Sequence, residues 1–258
     1  MRKAVASLLL LVVLLTTLAG CAKPASGPSK VSIGMTISYP PFEYMEGDKA
    51  VGFDVDLWNE IGKRMGREVE FQNIPWEGLI PGLLSKKFDV ICSCMGITAE
   101  RQKQVDFSIP YFKSLFGVVV QAQSSIQTMA DLKGKTLGIQ TGTMAETWVK
   151  ENQASIAPKE LVPYEEAPDM ILDLQAGRID AVVNDVPYLN YTLKDKPDLR
   201  LLSVRFGSPI LVGMAFRKED ASLRQEVDKT LRQIIDDGTW AKIYERWFGA
   251  APAPEEVP

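Results

Sequence analysis

Gly117-Val-Val-Val-Gln121 is an apolar run of strand length, and Pro209-Ile-Leu-Val-Gly-Met-Ala-Phe216 is a second one that could carry the chain back. Between them, Thr136 to Gln140, Leu161 to Tyr164 and Ala181 to Asn184 read as strands, while Met144 to Asn152 and Ala167 to Ala176 read as helices. Thr128 opens a further short helix, with Asp131 in capping-box position. The same alternation precedes Gly117: strand Val31 to Thr36, a helix reached through Val51 to Trp58 and stopped by Gly66, strand Glu68 to Gln72, helix Glu77 to Leu84 and strand Phe88 to Cys92. Strands separated by helices imply parallel βαβ units and an α/β fold. Two apolar strands bracketing one such unit imply two lobes joined by two crossovers, with a cleft whose walls can hinge. The division predicted is lobe 1 over 31–117 and 213–249, and lobe 2 over 118–212. Two closing helices carry Leu223, Val227, Leu231 and Ile234, then Trp240, Ile243, Tyr244 and Trp247, at helical spacing on core faces. Residues 250–258 read as a disordered tail.

The N-terminus names a compartment. Arg2 and Lys3 precede an apolar run from Leu8 to Leu15 and then small residues, the layout of a secretory signal over 1–20 and too short to span a bilayer comfortably. Leu18-Ala19-Gly20-Cys21 resembles the lipobox of bacterial lipoproteins, which makes Cys21 the expected lipidation site; an ordinary cleavage site with an incidental cysteine is the alternative. Residues 21–30, rich in Pro, Ser and Gly, read as a flexible tether from a membrane anchor.

Losing Arg2 and Lys3 with the signal moves the net charge from −4 to −6, an acidic balance that speaks against a nucleic-acid partner. The chain has no histidine, so a zinc site or histidine acid/base chemistry is hard to build, and no metal or cofactor is expected. Cys92 and Cys94, two apart on or beside a strand, would place their Cα atoms about 6.5–7 Å apart, at the edge of disulfide geometry. They read as small buried thiols.

Four segments put polar or aromatic groups at strand ends, where open α/β sheets bind ligands. Arg101, one turn into a helix that follows Phe88 to Cys92, offers a planar fork suited to a carboxylate, or pairs on the surface with Glu100 or Asp106. Gln140-Thr-Gly-Thr143-Met-Ala-Glu146 is a strand end followed by an N-cap, whose amides and positive dipole would attract an anion, although many such helix starts bind nothing. Asp185, just past a strand, could take an ammonium group or cap the next helix. Tyr39 and Trp76 lie in turns, where their rings could flank a ligand or pack on neighbouring loops. A carboxylate site opposite an ammonium site, with rings between, describes an α-amino acid.

The segments YPPFEY, GFDVDLWNEIGKRMG, WEGLIPGLLSKKFDV, MGITAERQKQVDFSIPYF, DLKGKTLGIQTGT, LQAGRIDAVVNDVP and DDGTWAKIYERWFG together resemble the extracellular solute-binding proteins of polar amino-acid ABC transporters, in order from Ser32 to Gly249. The resemblance implies a two-lobed, type II periplasmic-binding-protein fold, monomeric, each lobe a mostly parallel sheet flanked by helices, which closes on an amino acid and delivers it to a permease. It implies that Arg101 grips the α-carboxylate with Ser93, Cys94 and Gly96. Thr143 and Met144 would add amides, Asp185 would hold the ammonium, and Tyr39 and Trp76 would sandwich the side chain. Thr36 stands where many relatives carry aspartate, and Gly96 where they often carry Ser or Thr. With Gln140 and Met144 uncharged, these departures point to a neutral amino acid, a reading that Glu43 could reverse. Two other classes remain: a cleft enzyme resembling dehydratases that act on prephenate-like acids, for which Glu43 or Glu77 would be the general acid, and a receptor feeding a membrane signalling partner.

Overall fold

The computed structural model describes residues 30–204 and 206–253. The signal, Cys21 and most of the tether therefore lie outside the described residues, as does the end of the tail from 254. No helix among the described residues is long and apolar enough to cross a membrane.

The first sheet is built from β1 (Val31–Met35), β4 (Val69–Asn73), β5 (Val90–Ile91), β6 (Asp106–Phe107) and β13 (Ala215–Phe216), in the order β4-β1-β5-β13-β6. Its β4-β1-β5 half is parallel, and β13 returns antiparallel to both neighbours. The small hairpin β2 (Tyr44–Glu46) and β3 (Lys49–Val51) precedes helix α1 (Phe53–Met65). That helix ends where Gly66 turns left-handed at φ 64° and buries Phe53, Leu57, Trp58 and Ile61 completely. Each of these side chains stabilises the fold by about 1.5–3 kcal/mol relative to exposure. The closing helices α8 (Ala221–Asp236) and α9 (Thr239–Phe248) pack on the same core.

The second sheet runs β11-β7-β10-β8-β9, where β7 is Phe112–Gln121, β8 Thr136–Gln140, β9 Glu160–Tyr164, β10 Ala181–Asp185 and β11 Leu199–Leu201. Its β10-β8-β9 half is parallel, and β7 lies antiparallel to β10 and β11. Helices α4 (Met144–Glu151), α5 (Gln153–Ile156), α6 (Ala167–Gln175) and α7 (Val186–Thr192) belong to this lobe; α2 (Leu79–Leu84) and α3 (Ala99–Gln104) belong to the first. The molecule is thus a two-lobed α/β protein with mixed sheets.

The bracketing strands differ from expectation in an instructive way. β7 starts at Phe112, five residues before the apolar run GVVVQ, with Phe112, Ser114 and Phe116 alternating inward. The second run divides into β12 (Phe206–Val212) and β13 at Gly213-Met214. A Cβ on Gly213 would come within 2.9 Å of Ile97, so the backbone passes there close against the segment that leads into α3. β7 and β12 pair antiparallel, Phe112 with Val212 and Ser114 with Ile210, so the two bracketing strands run side by side. Residues 77 to 84 also split, into a 3-10 turn (Trp76–Gly78) and α2. Cys92 and Cys94 are free, buried thiols.

Candidate functional site

The lobes meet over a cleft at the carboxyl ends of β1, β5, β8 and β10. Thr98 caps α3 by accepting the Arg101 N–H at 3.1 Å, which sets the arginine at the cleft edge. The Arg101 guanidinium donates to the Gly96 carbonyl at 2.7 Å and, across the cleft, to the Gly142 carbonyl at 3.0 Å. It also lies 5.3 Å from the centroid of the Trp76 ring, a cation–π contact. Burial lowers its pKa to about 10, opposed by the charge of Asp185. The alternative surface partners are engaged elsewhere: Glu100 pairs with Lys103, and Asp106 with Arg224.

Asp185 occupies the N-cap position of α7 but makes no capping bond. Its carboxylate instead accepts from Ser114 Oγ at 2.8 Å and from the Tyr39 hydroxyl at 2.8 Å. Burial raises its pKa, and the two hydroxyls and Arg101 pull it back. Tyr39, from the first lobe, stacks on Tyr188 of the second at 4.4 Å between centroids. Ser38 donates to Glu166 at 2.6 Å in the same interface. At the start of α4, Thr143 Oγ1 accepts the Glu146 N–H at 3.2 Å, and Glu146 reaches back to the Gly142 N–H at 2.8 Å. Met144 and Ala145 follow, in the first turn, where helix amides lack intrahelical acceptors.

The floor is acidic. Ser93 Oγ accepts the Thr36 N–H at 2.9 Å and donates to Glu43 Oε1 at 2.6 Å. Behind it Asp54, in the first turn of α1, accepts from the Tyr111 hydroxyl at 2.7 Å and from the Cys94 N–H at 3.0 Å. That second bond holds Cys94 at φ 46°, a left-handed conformation that non-glycine residues rarely adopt. Glu43 and Asp54 are both fully buried. Burial pushes Asp54 up to about 6 and Glu43 well above the usual carboxyl range, with the neighbouring Asp54 charge adding to the Glu43 shift.

With the lobes in this contact the cleft encloses about 40 Å³, room for little more than a water or two. A Cβ on Gly96 would fall 2.2 Å from Met144 Sδ and 3.0 Å from Ile210 Cγ2, so a side chain at 96 would have to displace the flexible end of Met144 and press on Ile210.

The family model for bacterial extracellular solute-binding proteins, family 3, matches residues 31–250. The chain belongs to that family. It is 34% identical to ABC transporter arginine-binding protein 1 of Escherichia coli (strain K12), over 92% of this chain and 98% of that protein. It is 35% identical to the histidine-binding periplasmic protein of Salmonella typhimurium, over 87% and 89% respectively. Among solved structures, an ancestral arginine-binding protein bound to arginine superposes with a TM-score of 0.81 at 36% identity, covering 87% of this chain and all of that one.

In this solute-binding protein the cleft gathers all nine residues singled out in the sequence: Tyr39, Trp76, Ser93, Cys94, Gly96 and Arg101 from the first lobe, and Thr143, Met144 and Asp185 from the second. The Tyr39 ring lies on Tyr188 with its hydroxyl on Asp185, and the Trp76 ring lies under Arg101. Sequence reasoning missed Phe116 and Ile210, cleft-lining residues of the bracketing strands. Phe116 sits opposite Asp185 in the β7–β10 ladder; starting the strand at Gly117 left it out. Asp54 was also missed, because GFDVDLW reads as an ordinary helix start with an acidic first turn.

Proposed function

We propose that this solute-binding protein captures an α-amino acid with a cationic side chain and delivers it to the permease of an ABC importer, while a lipid on Cys21 holds it at the extracytoplasmic membrane face. The observation that carries the reading is the opposition of Arg101 and the α4 start to Asp185 across the two lobes. It offers a planar donor fork for the α-carboxylate and a half-buried carboxylate for the α-ammonium. The ammonium takes the place of the Tyr39 hydroxyl on Asp185. Ligand bridging both lobes favours the closed form by its differential affinity for it.

The neutral preference suggested by Thr36 and Gly96 gives way here to a cationic one. Glu43 lines the floor with a buried carboxyl, the Thr36 hydroxyl is turned away onto the Ile74 carbonyl, and the relatives above include arginine- and histidine-binding proteins. A thermal-shift screen of the common amino acids, followed by calorimetry with L-arginine, L-histidine and L-glutamine, tests this, since a ligand of the native state alone raises the melting temperature. Silence with every amino acid overturns the binding function; a response to neutral ligands alone returns the preference to neutral.

Binding rather than catalysis is the reading, as the named relatives are binding proteins. Turnover of prephenate-like acids by the purified protein would reverse it. Partition of the full chain into detergent, lost in Cys21→Ser, is the result expected of the anchor.

A further inference from the structure

Glu43 and Asp54 present an unusual arrangement beneath the cleft. Glu43 Oε1 and Asp54 Oδ2 are satisfied by Ser93, Tyr111 and the Cys94 amide. Glu43 Oε2 and Asp54 Oδ1 are also buried, yet neither receives an N–H or O–H from the protein. The backbone sets the two carboxyls side by side: the Asp54 N–H donates to the carbonyl of Phe42, the residue before Glu43, at 2.9 Å, and their partners Ser93 and Cys94 are consecutive in the chain. Two adjacent buried carboxylates repel, and a buried acceptor without a donor costs about 1–3 kcal/mol. One proton held between the two oxygens removes the repulsion and supplies both acceptors.

We propose that Glu43 and Asp54 share one proton in the unliganded protein, and that a cationic ligand side chain reaching Glu43 displaces it to solvent, so that Asp54 decides which charge the cleft floor offers. Asp54 touches no ligand in this scheme; it is a positioning residue that acts through Glu43. With the proton in place the floor is a hydrogen-bonding acid suited to a neutral amide, and without it a carboxylate suited to a guanidinium or ammonium. The inference rests on the amino-acid-binding reading and adds a linkage to it. The other titratable groups facing the pair, Cys92, Cys94 and Tyr111, are pushed upward by burial and by these carboxyls, so they stay neutral and leave the exchange to the pair. The dipole of α1 favours charge on Asp54 in its first turn, which offsets part of the cost once the proton has gone.

Calorimetry of the intact exported chain with L-arginine and with L-glutamine, in buffers of low and high ionisation enthalpy, reads the proton directly. The expected result is release of about one proton per arginine, with arginine affinity rising by up to about tenfold per pH unit between about pH 5 and 8, and no exchange with glutamine. Asp54→Asn keeps an acceptor for Tyr111 and Cys94 and gives Glu43 a permanent amide donor, so arginine binding should lose both its proton release and its pH slope. Glu43→Gln serves if Asp54→Asn does not fold: it gives Asp54 a donor and should abolish arginine-linked release while glutamine binding persists. Arginine binding with buffer-independent heat, or release that survives in either variant, overturns the proposal. No heat with either amino acid overturns the binding reading itself.

Discussion

The two polar ends of the cleft solve burial in opposite ways. At the rim, Arg101 and Asp185 each find one partner in their own lobe or its connecting strand and one across the cleft: the carbonyls of Gly96 and Gly142 for one, the hydroxyls of Ser114 and Tyr39 for the other. At the floor, Glu43 and Asp54 come from the same lobe and are left with one orphan oxygen each. The rim is therefore sensitive to lobe closure and the floor to protons. A ligand must replace satisfied contacts at the first and relieve unsatisfied ones at the second.

The strongest test of the rim is Arg101→Ala. Leaving the ligand carboxylate desolvated and unpaired should cost about 3–5 kcal/mol, a hundredfold to a few thousandfold in affinity. Calorimetry showing nearly unchanged binding would remove the carboxylate role and with it the contrast drawn here. Next in size is Gly96→Ala. Its methyl would meet Met144 Sδ in the closed form, so closure should weaken by about 1–3 kcal/mol, read as lost affinity with an unchanged melting temperature. Adding Met144→Ala should recover most of it, and a double mutant no better than the single one would mean that the walls do not approach as described. Tyr39→Phe removes the hydroxyl from Asp185 and should shift the unliganded protein toward the open form by about 0.5–1.5 kcal/mol, seen as a larger radius of gyration in solution scattering. An unchanged radius would show that this contact does not hold the lobes together.

The smallest effect is the pH dependence of stability, and its sign separates the floor from the surface. Asp54 has its folded pKa raised to about 6, so the folded protein binds this proton more tightly than the unfolded chain. Its contribution to stability is greatest at low pH and is lost as pH rises toward about 6. Asp237, held low by Arg64, has the reverse sign and loses its contribution as pH falls. Subtracting the Asp54→Asn melting curve from that of the native chain between about pH 4 and 7 reads the Glu43–Asp54 pair, because removing the Asp54 charge also relieves Glu43. A difference that does not fall as pH rises would sink the assignment.

Much of this was legible in the chain. Val-rich strand runs, the Gly66 stop, the Thr98 and Thr143 caps and the strand-end positions of Arg101 and Asp185 are local signals, and local periodicity and capping chemistry suffice to read them. They determined an α/β protein of two units, and they marked Tyr39, Trp76, Arg101, Thr143 and Asp185, while Ser93, Cys94 and Gly96 came only from the resemblance. Tertiary structure alone decided the rest. That Tyr39 reaches Asp185, that Trp76 backs Arg101, and that Phe116 and Ile210 line the site depends on contacts between residues far apart in sequence. Glu43 and Asp54 belong to a turn and a helix start with nothing unusual in either. Their proximity, and the loss of water that makes it costly, arises from folding the YPPFEY turn against the first turn of α1, and no pattern in one segment records it.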